Sequence, residues 1–233
     1  MIRRIRNLQA WINAHGGFVT VDGRWGPQTR AAVIEVFRNT RAPAATPGEI
    51  AMIARRYGFD ERAMMAVAQV ESGGGGWDDK GLLKCLWERH WLWRRVKLAV
   101  PLLSNPKPGG YTIDADGDGV NDSWEKLADA TGLFGFNVAA ECASFGRFQI
   151  MGGHWKSLGY ASVADFVWML SQTEIAHYEL FARFIKTNGL TAALNRVDGN
   201  PENARRVARG YNGSGYAAGR YHEKIAAAWR ALG

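Results

Sequence analysis

The stretch that decides the fold covers residues 60–77 and reads DERAMMAVAQVESGGGGW. Asp60 is a good N-cap and Gly73 a natural C-terminal stop, so this stretch predicts a short helix between them. Glu71 falls in the last turn, on the same face as Met64, and we expect that apolar face to pack inward. The sequence therefore places a partly desolvated carboxylate directly before a run of glycines.

The position of Glu71 suits a general acid. Burial and the negative end of the helix dipole both raise the pKa of a carboxyl group, which then holds its proton near neutral pH. The four glycines cost backbone entropy and supply no packing, so they fit a segment where the backbone passes close to a ligand. The alternative is a glutamate that turns into solvent at a frayed helix end.

Length and charge narrow the class of protein. A chain of 233 residues can bury one good core and a small second one. The net charge of +7 predicts an acidic partner, namely nucleic acid, an anionic membrane surface or an acidic cell-wall glycan. The sequence shows neither a signal-peptide pattern nor an apolar run long enough for a membrane span, so we expect a soluble cytoplasmic product.

The cysteines and histidines argue against a metal enzyme. Cys85 and Cys142 show no CxxC spacing, so we expect free buried thiols, with a single bridge formed after export as the alternative. The five histidines are scattered without ligand spacing, which disfavours a zinc amidase or peptidase.

The first 40 residues are predicted to form a small helical unit. Apolar residues at helical spacing run from Ile2 to Ile12, two glycines end that helix, and the sequence VDGRWGPQT leads into a second one. The pattern resembles peptidoglycan-binding modules, whose signature places are held here by Leu8, Gln9, Asp22, Gly23, Gly26, Thr29, Ala32 and Val33. The resemblance implies that residues 1–42 bind peptidoglycan, through Asp22, Gly23, Trp25 and Thr29. A merely structural helical cap is the alternative.

A short linker follows this unit. Residues 41–45 read RAPAA, and Thr46, Pro47 and Glu49 then supply an N-cap, a proline at the first helical position and the acidic residue of a capping box. We therefore place the domain boundary near residue 45, between a peptidoglycan-binding domain at 1–42 and a second domain at 48–233.

A further helical segment is predicted at residues 84–100, KCLWERHWLWRRVKLAV. It contains a Glu-Arg-His triplet that begins at Glu88. Adjacent helical positions point in different directions and no histidine stands four residues on, so a metal site is disfavoured. Whether Glu88 turns toward Glu71 stays open.

The most specific short motif is DADGDGVNDSWE at residues 114–125. Oxygen-bearing side chains stand at positions 1, 3, 5, 9 and 12, with glycine at the sharp sixth position, which is calcium-loop spacing. Without an entering helix, it looks more like the isolated calcium loops of dockerin or thrombospondin-type repeats than a paired EF-hand. The expected ligands of a structural Ca²⁺ are Asp114, Asp116, Asp118, Val120, Asp122 and Glu125. A solvated acidic turn is the alternative.

Several separated elements together resemble the N-acetylmuramidase domain of modular bacteriophage endolysins. They are Glu71-Ser72, Glu88-Arg89-His90, Pro108-Gly109-Gly110-Tyr111, the run SFGRFQIMG at 144–152, and Tyr211-Asn212-Gly213. The resemblance covers roughly residues 48–233 and, with the N-terminal module, the whole chain. The acidic loop departs from the family pattern, so calcium is not part of the resemblance.

The resemblance implies a mainly α-helical, lysozyme-like catalytic domain that cuts the β-1,4 bond between N-acetylmuramic acid and N-acetylglucosamine. Glu71 would protonate the leaving glycosidic oxygen, and catalysis would require no cofactor. A glycosidase normally needs a second carboxylate, for which Glu88 leads, with Asp78 and Asp79 behind it. The implied substrate-binding residues are Ser144, Gln149, Tyr211 and Asn212.

Other functions stay open at this point. A lytic transglycosylase needs only one acid/base and gives 1,6-anhydro products, and a non-catalytic wall-binding or virion protein needs none. A nucleic-acid protein fits the charge but no motif. We expect a monomer that binds peptidoglycan, without nucleic acid or stable membrane insertion, held in the host cytoplasm until release to the cell wall at lysis.

Overall fold

The helices dominate the fold, as the sequence predicts, and one small sheet accompanies them. The structure is a computed structural model that describes residues 1–71 and 74–233, with the Glu71 side chain also outside the described part. In chain order the helices are α1 (Ile2–Ala14), α2 (Pro27–Glu35), α3 (Pro47–Tyr57), α4 (Glu61–Glu71), α5 (Arg89–Val96), α6 (Asp122–Phe134), α7 (Phe136–Ala140), α8 (Val163–Gln172), α9 (Glu174–Thr187), α10 (Thr191–Leu194), α11 (Pro201–Asn212) and α12 (Tyr221–Ala231). The strands are β1 (Cys85–Trp87), β2 (Ala143–Phe145) and β3 (Ile150–Met151), and short 3₁₀ turns span Gly152–His154 and Gly213–Tyr216.

The chain divides into two compact units. The first unit comprises residues 1–42 and 77–172, and the second comprises residues 43–76 and 173–233. The chain leaves the first unit at Ala42, within the predicted linker at residues 41–45. The first 42 residues therefore share a unit with residues 77–172, while the division into domains at 1–42 and 48–233 stays a prediction.

The core of the first unit includes the N-terminal residues. Trp124 of α6 is fully buried, and its ring stacks on that of Phe37 with 5.2 Å between centroids. Its indole N–H donates to the carbonyl of Leu83 at 2.6 Å, so this buried polar atom is satisfied. Helix α2 packs against α6. Phe37, which is also fully buried, thus ties the first 42 residues to the rest of the unit by hydrophobic burial.

Residues 84–100 do not form one helix, so that prediction is wrong. Residues 85–87 form β1, and α5 begins only at Arg89. Cys85 and Trp87 are buried while Leu86 is half-buried, which is the alternation of a strand. The three strands pair antiparallel in the order β1-β2-β3, with Leu86 opposite Ser144. The pairing of β1 with a segment nearly 60 residues further on outweighs the local helical pattern. Strand preference depends strongly on such context.

The second unit is built around α4. Met64 and Val67 are fully buried, which confirms that the face predicted to pack inward does so. Helix α4 packs against α12, α12 against α11, and α3 against α9. The predicted caps are also present, because Asp60 accepts the Ala63 N–H at 2.7 Å and a capping box begins α3.

The two cysteines, Cys85 and Cys142, are both free and buried, which confirms the prediction of unpaired thiols.

Among the described residues, no helix is long and apolar enough to cross a membrane.

Candidate active site

Glu71 is the last residue of α4, and its side chain lies outside the described residues. The prediction that it is the general acid therefore stays a prediction, and Ser72 and Gly73 of the same motif also lie outside the described part. The glycines that follow are described from Gly74 onward. A Cβ on Gly76 would lie 2.5 Å from the His177 ring, so close packing on this buried histidine requires glycine at that position.

Glu88, the predicted second carboxylate, is described in full and makes defined contacts. It follows β1 directly, its N–H donates to the Cys142 carbonyl at 3.1 Å, and its side chain is 16% exposed. The Tyr111 hydroxyl donates to Glu88 Oε2 at 2.8 Å. His90 Nδ1 lies 3.2 Å from the same oxygen, an ion-pair distance without the alignment of a hydrogen bond. Glu88 is thus half-buried, and the hydrogen bond from Tyr111 fixes the position of its Oε2. A fixed position suits a group that exchanges a proton.

The contact between Tyr111 and Glu88 depends on a loop that Arg89 holds. The Arg89 guanidinium donates to the carbonyls of Lys107 and Pro108 at 2.9 and 3.0 Å. Gly109 and Gly110 have positive φ, and a Cβ on either would lie 3.0–3.1 Å from the guanidinium. The Pro-Gly-Gly sequence therefore lets the loop pass closely over Arg89 and bring Tyr111 to Glu88.

Tyr111 itself titrates above its usual range. Partial burial raises the pKa of its hydroxyl, and the hydrogen bond to Glu88 raises it further. The hydroxyl therefore stays protonated at neutral pH and acts as a donor to Glu88. The sequence motif Pro-Gly-Gly-Tyr contains Tyr111 but predicts no role for it. The signal was the Pro-Gly-Gly-Tyr run, although its spacing from Glu88 does not by itself indicate contact.

Ser144 lies in β2, which pairs with the strand before Glu88, and Gln149 lies in the turn between β2 and β3. The Ser144 hydroxyl lies 3.0 Å from Gln149 Oε1 and donates to it, and the Gln149 amide donates to the Gly146 carbonyl at 2.8 Å. Gln149 has a φ of +47°, which is uncommon for a residue with a side chain. This bend, which connects β2 to β3, holds the exposed Gln149 in one orientation.

Tyr211 and Asn212 belong to the second unit, at the end of α11. The Tyr211 ring packs on Phe181 and Phe184, with centroids 5.8 and 5.3 Å apart. Tyr211 is half-buried, and α9 fixes one part of its ring. Of the predicted site residues, the structure groups Glu88, Ser144 and Gln149 in the first unit, and Tyr211 and Asn212 in the second.

The residues predicted to bind peptidoglycan form an internal network. Fully buried Gln9 donates to Asp22 Oδ1 at 2.9 Å and to Thr29 Oγ1 at 3.0 Å, and accepts the Gly23 N–H at 2.8 Å. Hydrogen bonds from the Arg24 N–H and from Gln9 lower the pKa of Asp22. Thr29 is 3% exposed, so it supports the turn rather than offering a surface.

Trp25, the remaining member of that set, packs within the first unit. A Cβ on Gly132 of α6 would lie 2.4 Å from the Trp25 indole nitrogen, so the ring lies directly over this glycine. Trp25 is half-buried there. Binding of peptidoglycan by these four residues stays a prediction.

Backbone N–H groups within the acidic loop donate to its carboxylates. Asp114 Oδ2 accepts the Gly119 N–H at 3.0 Å, and Asp118 Oδ1 accepts the Val120 N–H at 2.7 Å. Carboxylate oxygens of Asp114, Asp116 and Asp118 lie within 4.8 Å of one another, as do those of Asp116, Asp122 and Glu125. These oxygens are the ligand type that Ca²⁺ prefers, and Asp116 is common to both groups.

Three basic side chains already partner this loop, one of them Lys126, whose Nζ lies 3.9 Å from Asp122 Oδ2. Arg30 Nη2 lies 2.8 Å from Glu125 Oε1, and Lys80 donates to the Gly119 carbonyl at 2.7 Å. Hydrogen bonds from Thr112 and Ala115 lower the pKa of Asp122, which is nearly buried and stays ionised. The donor set fits a hard cation, and a cation bound there would share Glu125 with Arg30.

Comparison with known proteins supplies the family. Residues 60–233 match the sequence model of the N-acetylmuramidase family. This chain belongs to the N-acetylmuramidase family. Its structure is similar to the crystal structure of the Burkholderia AP3 phage endolysin, with a TM-score of 0.72 and 32% sequence identity. That similarity covers 98% of this chain and 95% of the endolysin. A search of curated proteins found no match. The muramidase family match spans α4 and every predicted catalytic and substrate-binding residue.

Proposed function

We propose that this protein is an endolysin that hydrolyses the β-1,4 bond between N-acetylmuramic acid and N-acetylglucosamine in peptidoglycan. The observation that carries the proposal is the family match over residues 60–233. The similarity to a phage endolysin along nearly the full length of both chains adds support. We further propose that the protein acts on the wall as a monomer at host lysis.

In the proposed reaction, Glu71 protonates the leaving glycosidic oxygen and Glu88 receives a proton from the attacking water. Glu88 suits the second role because Tyr111 holds its Oε2 at 2.8 Å. Among the described residues, Glu88 Oε1 makes no hydrogen bond, so it can accept from water. The raised pKa of the Tyr111 hydroxyl keeps it protonated, so that it donates to Glu88.

Substrate positioning is proposed for Ser144, Gln149, Tyr211 and Asn212. The hydrogen bonds of Gln149 to Ser144 and Gly146 fix its amide before substrate arrives, which lowers the entropic cost of binding. The packing of Tyr211 on α9 has the same effect.

We also propose that Ca²⁺ binds residues 114–125 in a structural role. The support is the fit of loop spacing, carboxylate convergence and the bond from Gly119 to Asp114. Asp114, Asp116, Asp118, Asp122, Glu125 and the carbonyl of Val120 would hold the ion. Catalysis requires no cofactor in this proposal, since the two carboxylates supply the proton transfers.

The test is the product of digestion. Purified peptidoglycan treated with the wild-type protein should release fragments with reducing N-acetylmuramic acid ends, identified by mass spectrometry. Glu71→Gln should release about 10²–10⁴-fold less, with an unchanged melting temperature. Fragments one water lighter would indicate a lytic transglycosylase, and reducing N-acetylglucosamine ends would indicate a different bond. Either result would overturn the proposed specificity.

A further inference from the structure

The chain around Tyr111 is attached to helix α6 by two of the helix's side chains. These are Asp122 and Lys126, which stand four residues apart on α6 and so lie on the same face. Lys126 Nζ donates to the Gly110 carbonyl at 3.0 Å and to the Thr112 hydroxyl oxygen at 2.9 Å. Tyr111 lies between these two contacts, so Lys126 fixes the chain on both sides of it.

Asp122 continues the attachment further along the chain. Its carboxylate accepts hydrogen bonds from the Thr112 hydroxyl and from the Ala115 N–H, the second at 2.9 Å. Its own N–H donates to the Ile113 carbonyl at 2.8 Å. The Thr112 hydroxyl thus accepts from Lys126 and donates to Asp122, and the two partners together set its orientation.

The principal partner of Lys126 is this segment rather than its neighbour on the helix. Its side chain is only 13% exposed, and its Nζ lies 3.9 Å from Asp122 Oδ2. The two oxygens of the segment lie closer, at 2.9 and 3.0 Å. Ordering a lysine side chain costs rotamer entropy, and hydrogen bonds from a charged donor are strong enough to offset that cost.

Helix α6 is a fixed support for these contacts. Trp124 and Leu127 are both fully buried in the first unit, and the Trp124 indole N–H donates to the Leu83 carbonyl at 2.6 Å. Tyr111 is 49% exposed, so burial alone does not fix it. Lys126, next to Leu127, therefore transmits the position of the core to Tyr111.

The clamp made by Arg89 does not reach Tyr111 by itself. Arg89 holds the loop at the Pro108 carbonyl, and two glycines with positive φ follow before Tyr111. Glycine permits a wide range of backbone conformations, so this connection alone would let Tyr111 move. The Tyr111 hydroxyl donates to Glu88 Oε2 at 2.8 Å, and a shift of about 1 Å would break a bond of this kind.

We propose that Lys126 is a positioning residue for hydrolysis, which acts by holding Tyr111 against Glu88. The inference rests on the proposed function, because it assigns a support to the second carboxylate of the same reaction. Lys126 places a group that takes part in the proton transfer. Its loss should therefore lower kcat and leave KM unchanged.

A double-mutant cycle on a short soluble glycan of alternating N-acetylglucosamine and N-acetylmuramic acid tests this role. Lys126→Met removes the donors but keeps an unbranched side chain, Tyr111→Phe removes the hydroxyl, and a third variant carries both changes. Lys80→Met is the matched control, because Lys80 also donates to a loop carbonyl of the first unit, that of Gly119, at 2.7 Å. Thr112→Val, at an exposed position, removes the hydroxyl that Lys126 binds. Melting temperatures show whether each variant is folded.

We expect Lys126→Met to lower kcat roughly threefold to tenfold, and by no more than Tyr111→Phe does, because it acts through that hydroxyl. The double variant should have the kcat of Tyr111→Phe alone. Thr112→Val should also lower kcat, and Lys80→Met should keep the wild-type value.

Losses in kcat that multiply in the double variant would overturn the proposal, because Lys126 would then act independently of Tyr111. So would an unchanged kcat in either single variant, an equal loss in Lys80→Met, or a change confined to KM. If Lys126→Met does not fold, an unchanged kcat in Thr112→Val overturns the proposal instead. In all these cases the wild type still cuts the glycan, so the proposed function stands. Failure of the wild type to cut any glycan would contradict the proposed function itself, and this inference would fall with it.

Discussion

Replacement of Gln9 by alanine tests whether the N-terminal signature is structural. Gln9 is fully buried and accepts the Gly23 N–H, which is itself buried. In Gln9→Ala that N–H loses its acceptor, at a cost of about 1–3 kcal/mol, and Thr29 loses a partner worth about 1 kcal/mol. The lost bonds to Asp22 and Arg24 cost little, because both residues are exposed and water replaces Gln9.

The sum is a loss of about 3 kcal/mol in the free energy of unfolding. At roughly 2–4 °C per kcal/mol for a chain of this size, the melting temperature should fall by about 6–12 °C. The assay is thermal unfolding followed by circular dichroism. Asn7→Ala, an exposed amide on the same helix, is the control and should shift the melting temperature by about 1 °C or less. Equal melting temperatures for the two variants would refute the structural interpretation of the network.

Three further predictions concern the active site, the acidic loop and the thiols. Tyr111→Phe removes the donor to Glu88 and should lower kcat on peptidoglycan about tenfold with little change in melting temperature, whereas an unchanged kcat would contradict a catalytic role for this hydrogen bond. Calcium at a hundred times its Kd should stabilise the fold by about 2.7 kcal/mol, and Asp116→Ala with Asp118→Ala should abolish the effect seen between EDTA and calcium melting curves. Burial raises the pKa of the Cys142 thiol to about 12, so at neutral pH an aromatic disulfide reagent should label neither cysteine until the protein is unfolded.

Helix starts were predictable because their causes are local. The hydrogen bond from Ala63 to Asp60 and the capping box at Thr46 and Glu49 involve residues three positions apart, and sequence shows such pairs directly. The inward face of α4 followed from spacing for the same reason. Strand β1 was not predictable in this way, because its partner β2 lies far along the chain and only the pairing distinguishes it from a helix.

The candidate site shows the same division. The Glu-Arg-His triplet and the Pro-Gly-Gly-Tyr run were both visible, but their association depends on two backbone carbonyls that Arg89 holds. Every residue has a backbone carbonyl, so the sequence does not show which carbonyls a side chain will bind. The 2.8 Å bond between Tyr111 and Glu88 therefore appears only once the loop is folded, although the glycines at 109 and 110 indicated a backbone in close approach.

The N-terminal signature raises a more general point about binding motifs. Gln9, Gly23 and Thr29 carry the resemblance to peptidoglycan-binding modules, yet they are buried and hold the turn from inside. Phe18, in the same connection between α1 and α2, belongs to no signature and is almost fully exposed. A residue that holds a turn is constrained by several partners at once, whereas a residue that touches a polymer has to fit only that polymer. Substitutions at the buried signature residues should therefore change binding only as far as they change stability.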